Sequence, residues 1–247
     1  MKLSVVIPAY NEALNLPDTL QAFYSELHAE NIEHELLVIN DNSKDDTIEV
    51  LQQLQQTIPT IRTIYNPPPH NGFGFAIRKG LENFNGDCVA IVMADLSDSP
   101  ADLVKFYRVF IDQKVDCVFG NRFAKGGKVI DYPRKKLFLN RFVNNIISFV
   151  FKIRYNDVTN AFKLYSRQAI EGLKPFMSPH FNLTVELPLK AIVRGYSYTV
   201  VPNSWQNRKH GTSNLKIREM GSRYFFIVLY CLIEKFFSRG DFKKKWE

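Results

Sequence analysis

The first 120 residues alternate short apolar runs with segments in which apolar side chains recur every three or four positions. Short apolar runs are typical of buried strands, and the wider spacing is typical of helices with one apolar face. Their regular alternation predicts an α/β fold with a mostly parallel central sheet and helices on both faces. The predicted strands cover residues 3–7, 35–39, 61–65, 89–93 and 115–119.

Helices are predicted after the first four of these strands. Leu16, Leu20 and Phe23 share one apolar face of the first helix. Pro100 suits the first turn of the fourth helix, because an N–H at that position would have no partner. The predicted helices lie over residues 16–27, 48–54, 73–84 and 100–110.

Ligands of parallel sheets bind beyond the carboxyl ends of the strands. The sequence therefore predicts that a binding site is built from the segments that follow the strands. These segments are residues 8–12, 40–46, 70–74 and 94–98.

The regular alternation fades after residue 119, where a Phe-rich helix is predicted over residues 137–151. The chain shows no internal repeat, no low-complexity linker and no break in composition that would mark a second domain. We therefore expect a single domain over residues 1–215. Residues 216–247 are expected to form an amphipathic, basic segment that lies on a membrane surface.

Charge divides the chain into two parts. Residues 1–120 hold 8 Lys and Arg against 17 Asp and Glu, whereas residues 121–247 hold 24 against 8. The formal net charge of +7 thus hides an acidic half and a basic half, which indicates two surfaces with different partners. A hydrophobic fraction of 45% argues against disorder.

Cysteine content and hydropathy indicate the compartment. Three cysteines cannot form a disulfide framework, and Cys88 and Cys117 stand in apolar runs as expected of reduced core residues. No apolar stretch reaches the roughly 20 residues that span a bilayer, and the apolar start is too short for a signal peptide. We expect a cytoplasmic protein that is peripheral at the inner face of the membrane.

Acidic residues follow two of the predicted strands. Asp41 follows the second strand, and Asp95 follows the fourth with Asp98 three residues later. Carboxylates that meet at a sheet edge can hold Mg²⁺ or Mn²⁺ against a diphosphate. The alternative is that such residues only form turns or cap the following helices.

Two further patterns leave alternatives open. Gly72 and Gly74 open a helix after a strand, which suits a turn as well as a phosphate site. Phe138, Phe142 and Phe149 form an apolar stripe beside basic residues, which suits a core contact as well as a helix lying on a membrane. The histidines show no metal-ligand spacing, so a zinc site is not expected.

Six segments together resemble the family 2 glycosyltransferases, and in particular the subgroup typified by dolichol-phosphate mannosyltransferase, which glycosylates polyprenyl phosphates. The similarity runs in order over nearly the whole chain, from Leu3 to about Leu215. The segments that carry it are VVIPAYNE at 5–12, NDNSKDDT at 40–47, MADLSDSP at 93–100, GNRF at 120–123, DVTNAFK at 157–163 and RKHGTS at 208–213.

The resemblance implies a GT-A type, nucleotide-sugar-binding fold and assigns roles by motif position. The nucleotide would be bound by Pro8, Ala9, Tyr10, Glu12, Asp41, Ala94 and Asp95. A Mg²⁺ or Mn²⁺ ion would be held by Asp95, with Ser97 and Asp98. The departing diphosphate would be enclosed by Arg208, Ser213 and Lys216, and the acceptor phosphate would be held by Arg122, Arg134 and Arg141.

Several residues depart from the family pattern. Asn40 and Met93 stand where the family has aspartates, Ser97 stands where a Gln is usual, and Asn214 replaces a frequent lysine. The loss of the first Asp of the Asp-x-Asp motif leaves one motif carboxylate for the metal.

The resemblance implies an inverting hexosyltransferase that moves mannose or glucose from a GDP- or UDP-hexose to a polyprenyl or dolichyl phosphate. Asp95, Arg208 and Asp157 are the expected catalytic residues. A hydroxyl acceptor would need a general base, for which Asp157 and Glu186 are candidates. A nucleotide-sugar-binding homologue without activity is a further alternative, and the basic half carries no nucleic-acid-binding motif.

Overall fold

The computed structural model describes residues 1–208, 210–211 and 217–244, with the backbone alone for 217–220. Strands and helices alternate as predicted in the first half of the chain. The strands are β1 (Leu3–Ala9), β2 (His34–Asn40), β3 (Ile61–Tyr65), β4 (Cys88–Ile91), β5 (Cys117–Asn121), β6 (Lys128–Ile130), β7 (Lys163–Ser166), β8 (Tyr198–Pro202) and β9 (Ser204–Gln206). The helices are α1 (Leu16–Ala29), α2 (Thr47–Thr57), α3 (Phe73–Asn83), α4 (Pro100–Gln113), α5 (Arg134–Phe151), α6 (Arg167–Gly172), α7 (Leu183–Val193) and α8 (Ile217–Phe237).

Within the described residues, seven strands form the central sheet in the order β3-β2-β1-β4-β7-β5-β8. All neighbours are parallel except β7, which runs antiparallel to both β4 and β5. Successive side chains of β1 enter opposite layers of the core, so that Val5 and Ile7 pack on one face and Val6 on the other. The predicted α/β fold with a mostly parallel sheet is confirmed.

A short ribbon crosses the carboxyl end of the sheet. Strands β6 and β9 pair in parallel, with Val129 opposite Trp205. The ribbon is fastened to the loop after β4, because Trp205 bridges to Asp98 and the backbone N–H of Gln206 donates to the carbonyl of Ser97 over 3.0 Å. The sequence pattern did not predict this ribbon, which brings residues from the basic half beside the acidic loop.

The C-terminal helix α8 packs on the domain. Ile227 and Cys231 are buried in the same apolar layer as α7. Arg194 at the end of α7 donates to both carboxylate oxygens of Glu234, at 2.7 and 2.9 Å. The described part of the segment 216–247 therefore packs against the domain formed by the preceding residues.

The outward faces of α5 and α8 carry large apolar side chains. In α5 the buried face consists of Asn144, Ile147 and Phe151, whereas Phe138 is 75% exposed and Phe149 is 84% exposed. The apolar stripe predicted from the sequence is therefore on the exposed side of the helix. Among the described side chains of α8, the large exposed apolar ones are Phe225, Phe226, Leu229, Ile233, Phe236 and Phe237. None of the helices in the described ranges is both long and apolar enough to cross a membrane.

Candidate active site

A cavity of about 970 Å³ lies at the carboxyl ends of the parallel strands. All four segments predicted to surround a ligand contribute to its wall, together with the β6–β9 ribbon and the helices α5, α7 and α8. The expected site residues that line it are Pro8, Ala9, Tyr10, Glu12, Asp41, Asp95, Ser97, Asp98, Arg122 and Arg208.

Asp41 organises one end of the cavity. Its carboxylate accepts hydrogen bonds from the side-chain amides of Asn66 and Asn71, at 2.6 and 3.3 Å, and from the backbone N–H of Gly72 at 2.7 Å. Gly72 has a φ of 126°, a conformation that favours glycine. Asp41 thus fixes the loop before α3. It has this structural role whether or not it also contacts a ligand.

Gly74 serves close packing. A Cβ at this position would lie 2.4 Å from the carbonyl carbon of Pro179. The second glycine therefore lets α3 approach the segment before α7, and this approach brings His180 and Phe181 to the cavity wall.

Arg208 joins two carboxylates at the centre of the cavity. Its Nη2 lies 2.7 Å from Oδ2 of Asp95 and 3.2 Å from Oε1 of Glu12, and its Nε donates to Oδ2 of Asp95 over 2.9 Å. Burial alone would lower the pKa of Arg208, but the two carboxylates hold that pKa above its ordinary value. These residues are far apart in the sequence, so the structure brings together the metal and diphosphate residues that the resemblance implied.

Asp98 lies beside this group, and its surroundings favour the protonated form of its carboxyl group. Its carboxylate accepts a hydrogen bond from the backbone N–H of Met93 over 3.1 Å, and burial raises its pKa to about 7. Asp95 in turn accepts from the backbone N–H of Ser97 over 3.2 Å. The loop between β4 and α4 therefore presents two carboxyl groups and a hydroxyl to one cavity.

These oxygen donors fit a hard divalent cation whose other ligands come from a bound molecule and not from the protein. Mg²⁺ is commonly bound through one or two carboxylates together with phosphate oxygens. Across the described ranges there is no group of three or more His, Cys, Asp or Glu side chains that could hold an ion. Asp95 and Asp98 fit such an ion and are the carboxylates that would hold it.

The structure places Asp157 behind the cavity wall. Its side chain is fully buried and does not line the cavity. Both of its carboxylate oxygens are occupied by Arg122, whose Nε and Nη2 donate at 2.9 and 2.7 Å. A general base must reach the proton that it removes. Asp157 is therefore the counter-ion that holds Arg122 at the cavity wall.

Glu186, the other candidate base, is also outside the cavity. It is fully buried in α7, where it accepts from the backbone N–H groups of Met177 and Ser178 at 2.7 and 2.6 Å. Lys190 donates to it from the next turn over 2.6 Å. Its contacts stabilise the start of α7 and leave no oxygen directed at a substrate.

The basic wall differs from the expected one. Arg122 lines the cavity, but Arg134 and Arg141 do not. Arg134 is exposed at the start of α5, and the guanidinium of Arg141 stacks 4.3 Å from the ring centre of Phe123. The cavity instead receives Lys136 and Arg223. Arg223 is on α8, and only its tertiary placement shows that it faces the site.

The remaining expected site residues are Ala94, Ser213 and Lys216. Ala94 does not line the cavity, and its carbonyl accepts a hydrogen bond from the Thr19 hydroxyl over 2.8 Å. It therefore connects the loop after β4 to α1. Ser213 and Lys216 lie outside the described residues.

Sequence comparison finds similar proteins. The family model described as "Glycosyl transferase family 2" matches residues 4–173. A polyprenol monophosphomannose synthase of Mycolicibacterium smegmatis is 27% identical over 216 residues, covering 85% of this chain and 80% of the relative. A dolichol-phosphate mannosyltransferase of Pyrococcus furiosus is 30% identical over 221 residues, covering 87% of this chain. The matched region spans 60% of that longer relative.

Solved structures show the same fold. Glucosyl-3-phosphoglycerate synthase from Mycobacterium tuberculosis, in complex with Mn²⁺, UDP and glucosyl-3-phosphoglycerate, superposes with a TM-score of 0.68. The identity is 17%, and the match covers 95% of this chain and 79% of that one. The same synthase is also known in complex with Mg²⁺ and UDP, with a TM-score of 0.67 and 17% identity. That match covers 95% of this chain and 79% of the other.

Proposed function

Because the chain belongs to glycosyl transferase family 2, we propose that it transfers a hexose from a nucleoside diphosphate sugar to a polyprenyl phosphate. The polyprenol monophosphomannose synthase and the dolichol-phosphate mannosyltransferase among its relatives support this acceptor and a hexose of the mannose type. A glucose donor remains the alternative within the same reaction. The observation that carries the proposal is the arrangement of charge along one continuous cavity.

The acidic end of the cavity suits the donor. Among the described residues, the carboxylates that line the cavity are Glu12, Asp41, Asp95 and Asp98, all from the acidic half of the chain. A Mg²⁺ or Mn²⁺ ion bound with the diphosphate would supply positive charge to the departing nucleotide. Arg208, which already contacts Asp95 and Glu12, supplies a guanidinium to the same leaving group.

The basic end suits an anionic acceptor. Arg122, Lys136 and Arg223 line the cavity there, together with the apolar side chains of Leu139 and Val143 from α5. A phosphate is already ionised, so its oxygen can attack the anomeric carbon without a general base. This agrees with the buried positions of both candidate bases, which disfavour a hydroxyl acceptor. One in-line displacement inverts the configuration of the sugar.

The reaction can be tested with radiolabelled donors and a polyprenyl phosphate. We expect GDP-mannose or UDP-glucose to yield a chloroform-soluble product that is labile in mild acid. The same polyprenol without its phosphate should give no product, because Arg122 and its basic neighbours would have no anion to orient. A labelled product with the unphosphorylated alcohol, or no product with any common donor, would contradict the proposal.

We also propose that the protein docks on the inner face of the membrane through α5 and α8. The exposed phenylalanines of α5 adjoin the basic residues Lys135 and Lys136. Apolar side chains beside lysines are typical of helices that lie on anionic lipid surfaces. Both helices also contribute to the acceptor end of the cavity, so docking would bring it to the lipid phosphate.

Docking is expected to depend on the aromatic side chains. A variant with Phe138, Phe142 and Phe149 all changed to Ser should bind vesicles of anionic phospholipid about tenfold or more weakly, because it removes apolar surface that enters the lipid. Vesicle flotation measures the bound fraction. Ile48→Ser, which removes an exposed apolar side chain from α2, is the control and should bind as the unchanged protein does. Equal binding by the triple variant would reject this docking surface.

A further inference from the structure

Two aromatic rings form part of the cavity wall without belonging to the core. Trp205 of β9 and Tyr132 pack with ring centres 4.8 Å apart at an angle of 53°. Both rings line the cavity, and among the described residues neither belongs to either apolar layer of the central sheet. Trp205 is only partly buried on a strand of three residues, so core packing does not account for it.

The two rings lie between the acidic end and the basic end of the cavity. On one side, the backbone of Trp205 bridges to Asp98, in the loop that carries Asp95. On the other side, the ring of Tyr132 lies 5.9 Å from the guanidinium carbon of Arg122. A hexose that is transferred from the diphosphate to the acceptor phosphate would lie between these two ends, beside the rings.

The strand that carries Trp205 is held in place by backbone contacts. The β6–β9 ribbon pairs Trp205 with Val129, and Gln206 donates from its backbone N–H to the carbonyl of Ser97. The backbone of Trp205 is therefore anchored beside the loop that carries Asp95 and Asp98, and its indole packs against Tyr132. A rigid aromatic surface contributes contact area at small cost in conformational entropy.

We propose that Trp205, supported by Tyr132, is the surface on which the transferred hexose stacks. The inference rests on the proposed function and deepens it by assigning the sugar-binding side chain. The face of an aromatic ring is electron-rich, and the C–H bonds on one face of a pyranose are weakly positive. A ring with its apolar C–H groups on one face would pack on the indole, while its hydroxyls remain directed into the cavity.

Affinity for the sugar can be separated from affinity for the nucleotide. Calorimetry with GDP and GDP-mannose, or with UDP and UDP-glucose, identifies the pair that the unchanged protein binds. We expect Trp205→Ala to weaken binding of the nucleotide sugar about five- to tenfold, the factor typical of a lost aromatic contact. Binding of the nucleoside diphosphate should change less than about twofold, within the scatter of tenths of a kcal/mol typical of uninvolved positions. Trp205→Phe should restore much of the difference.

The outcomes distinguish the inference from the proposed function. Equal weakening of nucleotide and nucleotide sugar would overturn the stacking role, because it would place Trp205 on the nucleotide or in the fold. If no nucleotide sugar binds to the unchanged protein, the proposed function fails, and this inference fails with it.

A second measurement does not depend on the folding of a Trp205 variant. The chain has two tryptophans, Trp205 and Trp246, so Trp246→Phe leaves Trp205 as the single indole fluorophore. The nucleotide sugar should protect this fluorescence from acrylamide more than the nucleoside diphosphate does. Equal protection by the two ligands would overturn the proposal.

Discussion

Changing Asp95 to asparagine is expected to lower kcat/KM about 10²–10³-fold, the loss typical of removing one group that stabilises charge in a transition state. Asp95 accepts from both Nε and Nη2 of Arg208 and is one of two carboxylates presented by the loop after β4. Asparagine keeps the size of the side chain but removes the charge that holds Arg208 and the proposed metal ion. Steady-state kinetics with the donor that the protein uses would measure the effect.

Asp112 offers a matched control for this change. It is an exposed aspartate on α4, and Asp112→Asn alters the net charge of the protein by the same amount. We expect its kcat/KM to equal that of the unchanged protein. An Asp95→Asn variant that keeps its full activity would show that this carboxylate is not part of the reaction. The thermal midpoints of both variants would show that the fold is retained.

Changing Asp157 to asparagine is expected to lower the free energy of unfolding by about 3–5 kcal/mol, because it leaves the guanidinium of Arg122 buried without a counter-ion. The pair is almost entirely removed from solvent, with relative side-chain exposures of 7% for Arg122 and 0% for Asp157. Urea denaturation would measure the loss. The KM for the lipid phosphate should also rise, since Arg122 would no longer be held at the cavity wall.

An exposed ion pair provides the control for the buried one. Glu171 and Lys174 are 2.7 Å apart with side chains 53% and 39% exposed, so Glu171→Gln should change stability by less than about 1 kcal/mol. Replacing both buried partners, as Arg122→Met with Asp157→Leu, should recover much of the stability lost in the single variant. An Asp157→Asn variant with unchanged stability but no turnover would instead support the role of a general base.

The acidic end of the cavity could be predicted from the sequence because it is built locally. Each parallel strand ends at the same sheet edge, so the positions of Glu12, Asp41 and Asp95 follow from the strand pattern and the motifs. For Arg208 the motif implied a position over the diphosphate, whereas its contact with Glu12 and Asp95 is seen only in the structure. A strand pattern does not determine where a residue more than a hundred positions away will fold back.

The basic end of the cavity and the helix beside it could not be predicted in the same way. Helical spacing identifies which residues share a face, but it does not say whether that face is covered. Thus Phe138 and Phe149 are exposed, while Ile147 and Phe151 of the same helix are buried. Likewise, the motif around Asp157 indicated functional importance, whereas its enclosure by Arg122 depends on packing between distant segments.

The antiparallel strand β7 constrains the order in which a growing chain can complete the sheet. Strands β1 to β4 pair with one another within the first 91 residues. In the sheet of the described chain, β5 pairs with β7 and β8, which begin only at Lys163 and Tyr198. Synthesis delivers the N-terminal strands first. Strands β1, β2 and β4, which precede Glu12, Asp41 and Asp95, can therefore pair before the partners of β5 have been synthesised. The acidic half of the chain is thus the part of the fold that can form early, and the basic half completes it later.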